Sequence, residues 1–182
     1  MRELALNVLD VAENSLRANA KQIVIEVEAS METIRISITD DGCGMDEEFL
    51  SRVTDPFTTT RTTRRVGMGL SLLQMEAEMA GGSFEIASEQ GKGTKVVATF
   101  RTDHIDRPPL GNFGDTLAAL LPDLGETELI FTYRAFGKAY TLDTEEIKRQ
   151  LEGVPLDTPE ILVFIREMTD ENVTRINGGI EL

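Results

Sequence analysis

The chain has 182 residues, 18 Lys+Arg against 32 Asp+Glu, a net charge of −14, 41% hydrophobic residues, one cysteine, one histidine and no tryptophan. That length supports one domain or two small ones with a buried core, while the acidity excludes broad binding to nucleic acid or anionic lipid, the one basic patch being Arg61 with Arg64 and Arg65. One cysteine forms no internal disulfide, the N-terminus has no signal-like segment, and no apolar run nears the ~20 residues of a membrane span; a cytoplasmic protein is expected, with neither nucleic acid nor membrane as partner.

Residues 3 to 18 place Ala5, Val8, Leu9, Ala12, Ser15 and Leu16 on one side of a helical wheel and Asn7, Asp10 and Asn14 on the other, which predicts an amphipathic helix. Ile23–Val27 and Ile34–Ile38 alternate as a pair of strands, and Asp40-Asp41-Gly42-Cys43-Gly44 ends the second. The chain then reads as irregular through Asp55-Pro56-Phe57. Leu70, Leu73, Met75 and Met79 signal a second helix, stopped by Gly81-Gly82. Two short strands around Phe84–Ile86 and Val96–Phe100 are joined by Gly91-Lys92-Gly93.

Between Thr102 and Gly114 prolines and glycines interrupt every periodic pattern, which predicts a linker over 103–114 between a first domain (1–102) and a small C-terminal α/β domain (115–182). The latter is expected to hold an apolar helix at 115–121, a hairpin alternating at Leu129, Phe131 and Tyr133 and turning at Gly137-Lys138, and helices at 144–152 and from Thr158-Pro159-Glu160 onward. Of the charge, −5 falls on residues 1–101 and −9 on the remainder, so a DNA-binding pair of helices at the end of the chain is not expected.

Several chemistries are absent. The segment Gly91-Lys92-Gly93-Thr94 lacks the earlier glycine of a Walker loop, no Rossmann fingerprint follows the first strand, and His104, beside Asp103 and Asp106, is a linker side chain with no nucleophile to serve. Clustered Cys and His for zinc are lacking too.

Three clusters remain. Asp10 and Asn14 lie four residues apart, one above the other on a helix; an amide oxygen suits Mg²⁺ and a carboxylate can orient water near a phosphate. In Asp40-Asp41-Gly42-Cys43-Gly44-Met45 a strand-end carboxylate precedes glycines that let backbone approach a flat ligand, and an adenine amino group would suit that acceptor. Gly67-Met68-Gly69-Leu70-Ser71-Leu72, preceded by Arg61, Arg64 and Arg65, offers free helix N-terminal N–H groups and positive charge to an anion. Taken singly, each has an ordinary reading as a wet helix face, an Asp-Gly turn or a glycine-rich loop.

Together and in this order the clusters resemble the GHKL ATPase superfamily, which includes gyrase, the ninety-kilodalton heat-shock chaperone, sensor histidine kinases and MutL. The resemblance covers about residues 3 to 101: Asp10–Asn14 is similar to the N box, Asp40–Gly44 to the first glycine box, Pro56-Phe57 to the F box, Gly67–Gly69 to the second glycine box, and Gly91-Lys92-Gly93-Thr94 to the late G-x-G-T segment. It implies an α/β sandwich, a mixed sheet with helices on one face. It implies ATP with Mg²⁺ as ligand, Asn14 on the metal, Asp40 and Thr94 on adenine, and Asp10 as the catalytic carboxylate. Gly42, Gly44, Phe57, Arg61, Gly67, Met68, Gly69 and Leu70 complete the implied nucleotide site. Hydrolysing members carry glutamate where this chain has the shorter Asp10, so slow turnover is expected. With only two residues before the first helix, a dimerisation hairpin bearing a phosphoacceptor histidine is not expected. The implied function is a cytoplasmic Mg-ATP module acting on a regulatory protein partner as a kinase or ATP-dependent switch, or alternatively an interaction module holding ATP as a structural ligand; a homodimer is left open.

Overall fold

The computed structural model describes residues 3–53, 68–180 and 182. Helix α1 (Leu4–Arg17) leads into the hairpin β1 (Gln22–Ala29) and β2 (Thr33–Asp40), then α2 (Glu47–Val53) and α3 (Met68–Met79). The hairpin β3 (Ser83–Glu89) and β4 (Gly93–Arg101) follows. Beyond it lie α4 (Phe113–Leu120), β5 (Glu128–Ala135), β6 (Lys138–Asp143), α5 (Thr144–Gln150) and α6 (Pro159–Asn177).

All six strands form one mixed sheet in the order β3-β4-β2-β1-β5-β6, antiparallel except where β1 pairs with β5. Strand alternation sends Ile23, Ile25 and Val27 of β1, Ile34, Ile36 and Ile38 of β2, Val96, Ala98 and Phe100 of β4, and Leu129, Phe131 and Tyr133 of β5 to one face, where all are buried. The other face carries Glu26, Glu28, Arg35 and Arg134 in surface ion pairs. One buried and one wet face is the pattern that alternation predicts for a largely antiparallel sheet with its helices on a single side, as expected from the sequence.

The expected separation of a C-terminal domain meets a different arrangement. β5 pairs with β1 along the whole of both strands, from Gln22 opposite Glu128 to Ala29 opposite Ala135. The segment expected as a linker is packed: Leu110 is buried, the Leu4 and Ala5 N–H groups donate to the carbonyls of Pro109 and Leu110, and the Leu110 N–H donates to the carbonyl of Leu182. Helix α4 begins at Phe113, capped by Asn112, and Asp170 on α6 accepts from Asn112 Nδ2 at 3.0 Å and the Gly114 N–H at 3.1 Å. The Phe113 and Phe131 rings pack 5.3 Å apart, tilted by 37°. Residues 115–182 thus extend the first sheet and its helical layer.

Two local expectations also change. Residues 47–53, read as irregular, form α2, whose first turn is closed by Asp46 Oδ1 accepting the Phe49 N–H at 2.7 Å. Asn7, placed on the wet side of α1, is fully buried against α3, where its amide donates to Glu76.

Candidate functional site

At the end of the sheet where β2 finishes and β4 begins, the inner face opens into a cavity of about 220 Å³ between α1, β2, β4, α2 and the start of α3. Val11, Ile38, Phe49, Val53, Leu70 and Val96 give it apolar walls; Asn14, Ser15, Asp40 and Thr94 supply polar groups. An apolar slot with a few convergent polar groups suits a flat heteroaromatic ligand.

Asp40 is the last residue of β2, directly across from Thr94 on β4. Its Oδ2 accepts the Ser15 hydroxyl at 2.6 Å and its Oδ1 accepts the Gly42 N–H at 2.9 Å. A carboxylate has about four acceptor positions, so with one bond on each oxygen Asp40 keeps capacity for a donor from the cavity. The neighbouring Asp41 turns the other way and accepts the Lys21 and Gln22 N–H groups at 2.7 and 2.9 Å. Those bonds, that of Gln22 foremost, hold its carboxyl below the usual carboxylate range. Of the two aspartates, one braces the turn and the other faces the cavity.

The turn after β2 is clamped on both sides. The Cys43 N–H donates to the Ala18 carbonyl at the end of α1, and the Gly91 N–H donates to the Cys43 carbonyl. Gly44 adopts φ +64°, and a Cβ there would lie 2.0 Å from the carbonyl oxygen of Glu89, so no side chain is admitted. The start of α3 is equally tight against α1: a Cβ on Gly69 would sit 2.9 Å from the Cβ of Asp10. This close approach, which only glycine permits, sets Gly69 at the start of α3 beside Asp10.

The structure therefore brings Asn14, Asp40, Gly44, Leu70 and Thr94 to one cavity, with Gly42 bonded to Asp40 and with Asp10 and Gly69 in contact beside it. Met68 opens α3. Phe57, Arg61 and Gly67 lie outside the described residues, as do Arg64 and Arg65. Asn14 Oδ1, the hard oxygen suited to Mg²⁺, accepts from Arg17 Nη1 at 3.1 Å, while Arg17 Nη2 holds Glu13 at 2.8 Å. Among the described residues no group of three or more His, Cys, Asp and Glu could hold a metal ion, and no helix is long and apolar enough to cross a membrane.

Ser15 and Ser88 have no role in the sequence reading. A signal existed for Ser15: a hydroxyl on the apolar side of a helix is buried, and a buried hydroxyl requires a partner, here Asp40. Ser88 has no comparable signal, because its place depends on the β3–β4 register.

A family model described as histidine kinase-, DNA gyrase B-, and HSP90-like ATPase matches residues 1–104. Sensor histidine kinase ZraS of Escherichia coli is 33% identical over 106 residues, 57% of this chain and 23% of that protein. Autoinducer 2 sensor kinase/phosphatase LuxQ of Vibrio harveyi is 28% identical over 164 residues, 80% of this chain and 18% of that protein. The chain thus spans less than a quarter of either relative. The crystal structure of the N-terminal domain of a DNA repair protein superposes with a TM-score of 0.51 at 17% identity, covering 79% of this chain and 53% of that one, a likeness of fold.

Proposed function

The chain belongs to the histidine kinase-, DNA gyrase B-, and HSP90-like ATPase family, and we propose that it binds Mg-ATP in the cavity at the end of β2 and the start of β4 and acts on a regulatory protein partner as a kinase or nucleotide-dependent switch. The observation that carries this reading is Asp40: a carboxylate fixed by Ser15 and Gly42 at the polar end of an apolar slot, with Thr94 across from it. Such a carboxylate accepts from an exocyclic amine, and Thr94 offers a hydroxyl to the adjoining ring nitrogen.

The residues present fit the metal as well. Asn14 Oδ1 is a neutral hard oxygen at the cavity wall and would be the protein's ligand to Mg²⁺, which when bound neutralises phosphate charge. Asp10, on the same face of α1 and against Gly69, would be the carboxylate that orients a water. Similarity to sensor kinases supports phosphoryl transfer as the output, and the ATP-binding unit is residues 1–102, followed by an extension that shares its sheet.

Calorimetric titration with ATP, ADP and GTP, with and without Mg²⁺, tests the binding; preference for adenine nucleotides is expected, and no binding overturns the reading. Incubation with terminally labelled ATP and candidate partner proteins then separates outputs. Label on a partner or released phosphate supports a kinase or switch, whereas tight binding with neither assigns ATP a structural role.

A further inference from the structure

Behind the cavity wall, on the same inward row of the sheet as Asp40 and Thr94, stands Ser88. Asp40 lies opposite Thr94 across β2–β4, and Thr94 lies opposite Ser88 across β3–β4, so three polar side chains stand in line on three adjacent strands. The outermost of them, Ser88, is absent from the cavity lining, whereas Thr94 and Met45 belong to it.

Ser88 Oγ has one hydrogen and two lone pairs. One lone pair is committed, because the Met45 N–H, which can only donate, reaches it at 2.8 Å. Its hydrogen has two acceptors within reach, Thr94 Oγ1 at 2.8 Å and the Gly93 carbonyl at 3.1 Å. The choice decides what Thr94 shows the cavity. If Ser88 donates to Thr94, the threonine hydrogen is free to point at a ligand; if Ser88 donates to Gly93, Thr94 donates back to Ser88 and shows only a lone pair.

We propose that Ser88 is a positioning residue for base recognition: it takes the Met45 N–H, donates to Thr94 Oγ1, and so presents the Thr94 proton to a ring-nitrogen acceptor of the bound purine. The 2.8 Å contact between Ser88 and Thr94 holds in either direction, and a bound ring-nitrogen acceptor selects the one that frees the Thr94 proton. The arrangement also makes chemical sense beside Asp40. A carboxylate that accepts and a hydroxyl that donates, side by side, match a ring whose adjacent edge atoms are an amine and an unprotonated nitrogen. A purine with a carbonyl and a ring N–H presents the opposite pattern at both atoms. The same hydroxyl ties the turn after β2 to the β3–β4 hairpin through Met45, so the ligand-reading row and the glycine turn share one anchor.

This inference rests on the reading of the cavity as an ATP site, and the experiment separates the two. Affinities of the full chain for ATP and for 1-deaza-ATP, in which a C–H replaces the ring nitrogen, are measured by calorimetry for wild type, Ser88→Ala and Ser88→Thr. Wild type should prefer ATP by about 2- to 10-fold, the span of one net neutral hydrogen bond. Ser88→Ala should lose most of that preference by weakening ATP while leaving 1-deaza-ATP nearly unchanged, and Ser88→Thr, which keeps the hydroxyl, should restore it. A merely structural serine would instead lower both affinities by the same factor in Ser88→Ala, and that result, or no change in either, overturns the proposal. Wild type that binds ATP without preferring it to the analogue also overturns it, whereas wild type that binds neither overturns the ATP reading beneath. Should thermal melting show Ser88→Ala unfolded, Ser88→Cys, close in volume and a poorer donor, is held to the same criteria.

Discussion

Helix α1 is held from two sides, and the two grips differ in kind. At its first turn the C-terminal segment uses polar groups that are fully spent on the protein: Leu4 and Ala5 donate to carbonyls of Pro109 and Leu110, and Thr116 Oγ1 donates to the Ala5 carbonyl at 3.0 Å. Behind them Tyr133 donates to Asn177 Oδ1 at 2.7 Å inside the core. At its other end the segment lining the cavity uses polar groups that are only half spent, since Ser15 and Gly42 take one position on each oxygen of Asp40 and leave the rest toward the cavity. Satisfied polar networks rigidify a fold, while a fixed acceptor facing a cavity is a means of recognition. The contrast teaches that the extension serves as a wall that sets where α1 starts, and the turn after β2 as the reader that uses where α1 ends.

The strongest way to break this contrast is to empty the wall. Phe131 on β5 is buried and packs against Phe113. Phe131→Ala should cost about 3–5 kcal/mol, the range for a buried aromatic. Because β5 is paired along all of β1, the loss should appear in a single unfolding transition that carries the nucleotide site with it. Two separated transitions by calorimetry, with ATP binding surviving the first, would restore the picture of an independent C-terminal domain.

The next effect sharpens the reader. Asp40→Ala removes a charge-assisted acceptor, worth about 1.5–3 kcal/mol, so ATP affinity should fall between tenfold and a hundredfold or so by titration. Unchanged affinity would move the base to another part of the cavity.

How much of this was legible in the sequence follows the same division. Parts of the reader lie within short sequence distances: Asp10 with Asn14 by helical spacing, Asp40 by its strand end, and the β1–β2 and β3–β4 pairs by alternation, whereas Thr94 enters only through the family resemblance of Gly91-Lys92-Gly93-Thr94. The wall depends on pairings that no local pattern encodes. Residues 129–133 announce a strand, but nothing in their alternation says that it will lie parallel to β1 more than a hundred positions earlier. Pro108-Pro109 reads as a break because proline donates no backbone hydrogen bond, yet the Pro109 carbonyl still accepts, and here it receives the first N–H of α1. α2 was missed because seven residues are too few for helical periodicity to show. Asn7 was misplaced because a wheel drawn for one helix carries no knowledge of Glu76 on the next.

A smaller effect separates wall from reader by pH. Burial raises the phenols of Tyr133 and Tyr140 above the ordinary 10.0. A raised value in the folded chain means that folding favours the neutral phenol, so this stability is intact below pH 10.0 and is lost as pH rises through the raised values. Melting temperature should therefore decline above that pH, and Tyr133→Phe with Tyr140→Phe should flatten the alkaline decline. An equally steep decline in the double variant would place its origin elsewhere.

The smallest effect concerns Arg17, which belongs to the reader and is exposed. Its guanidinium donates to Asn14 Oδ1, the oxygen suited to Mg²⁺, and is steadied by Glu13. Two cations on one amide oxygen repel each other, so the metal must displace the guanidinium. Exposed pairs of this kind are worth about 0.2–1 kcal/mol, which sets the penalty at no more than about fivefold. Arg17→Met, which keeps the apolar stem and removes the charge, should lower the Mg²⁺ concentration needed for half-maximal ATP binding by up to that factor. Its effect on ATP binding without metal is the discriminating control. If Arg17 only competes for Asn14, affinity in a chelator should be unchanged; if it falls there, the guanidinium holds a phosphate directly, and its contact with Asn14 is the resting place of a ligand-binding side chain.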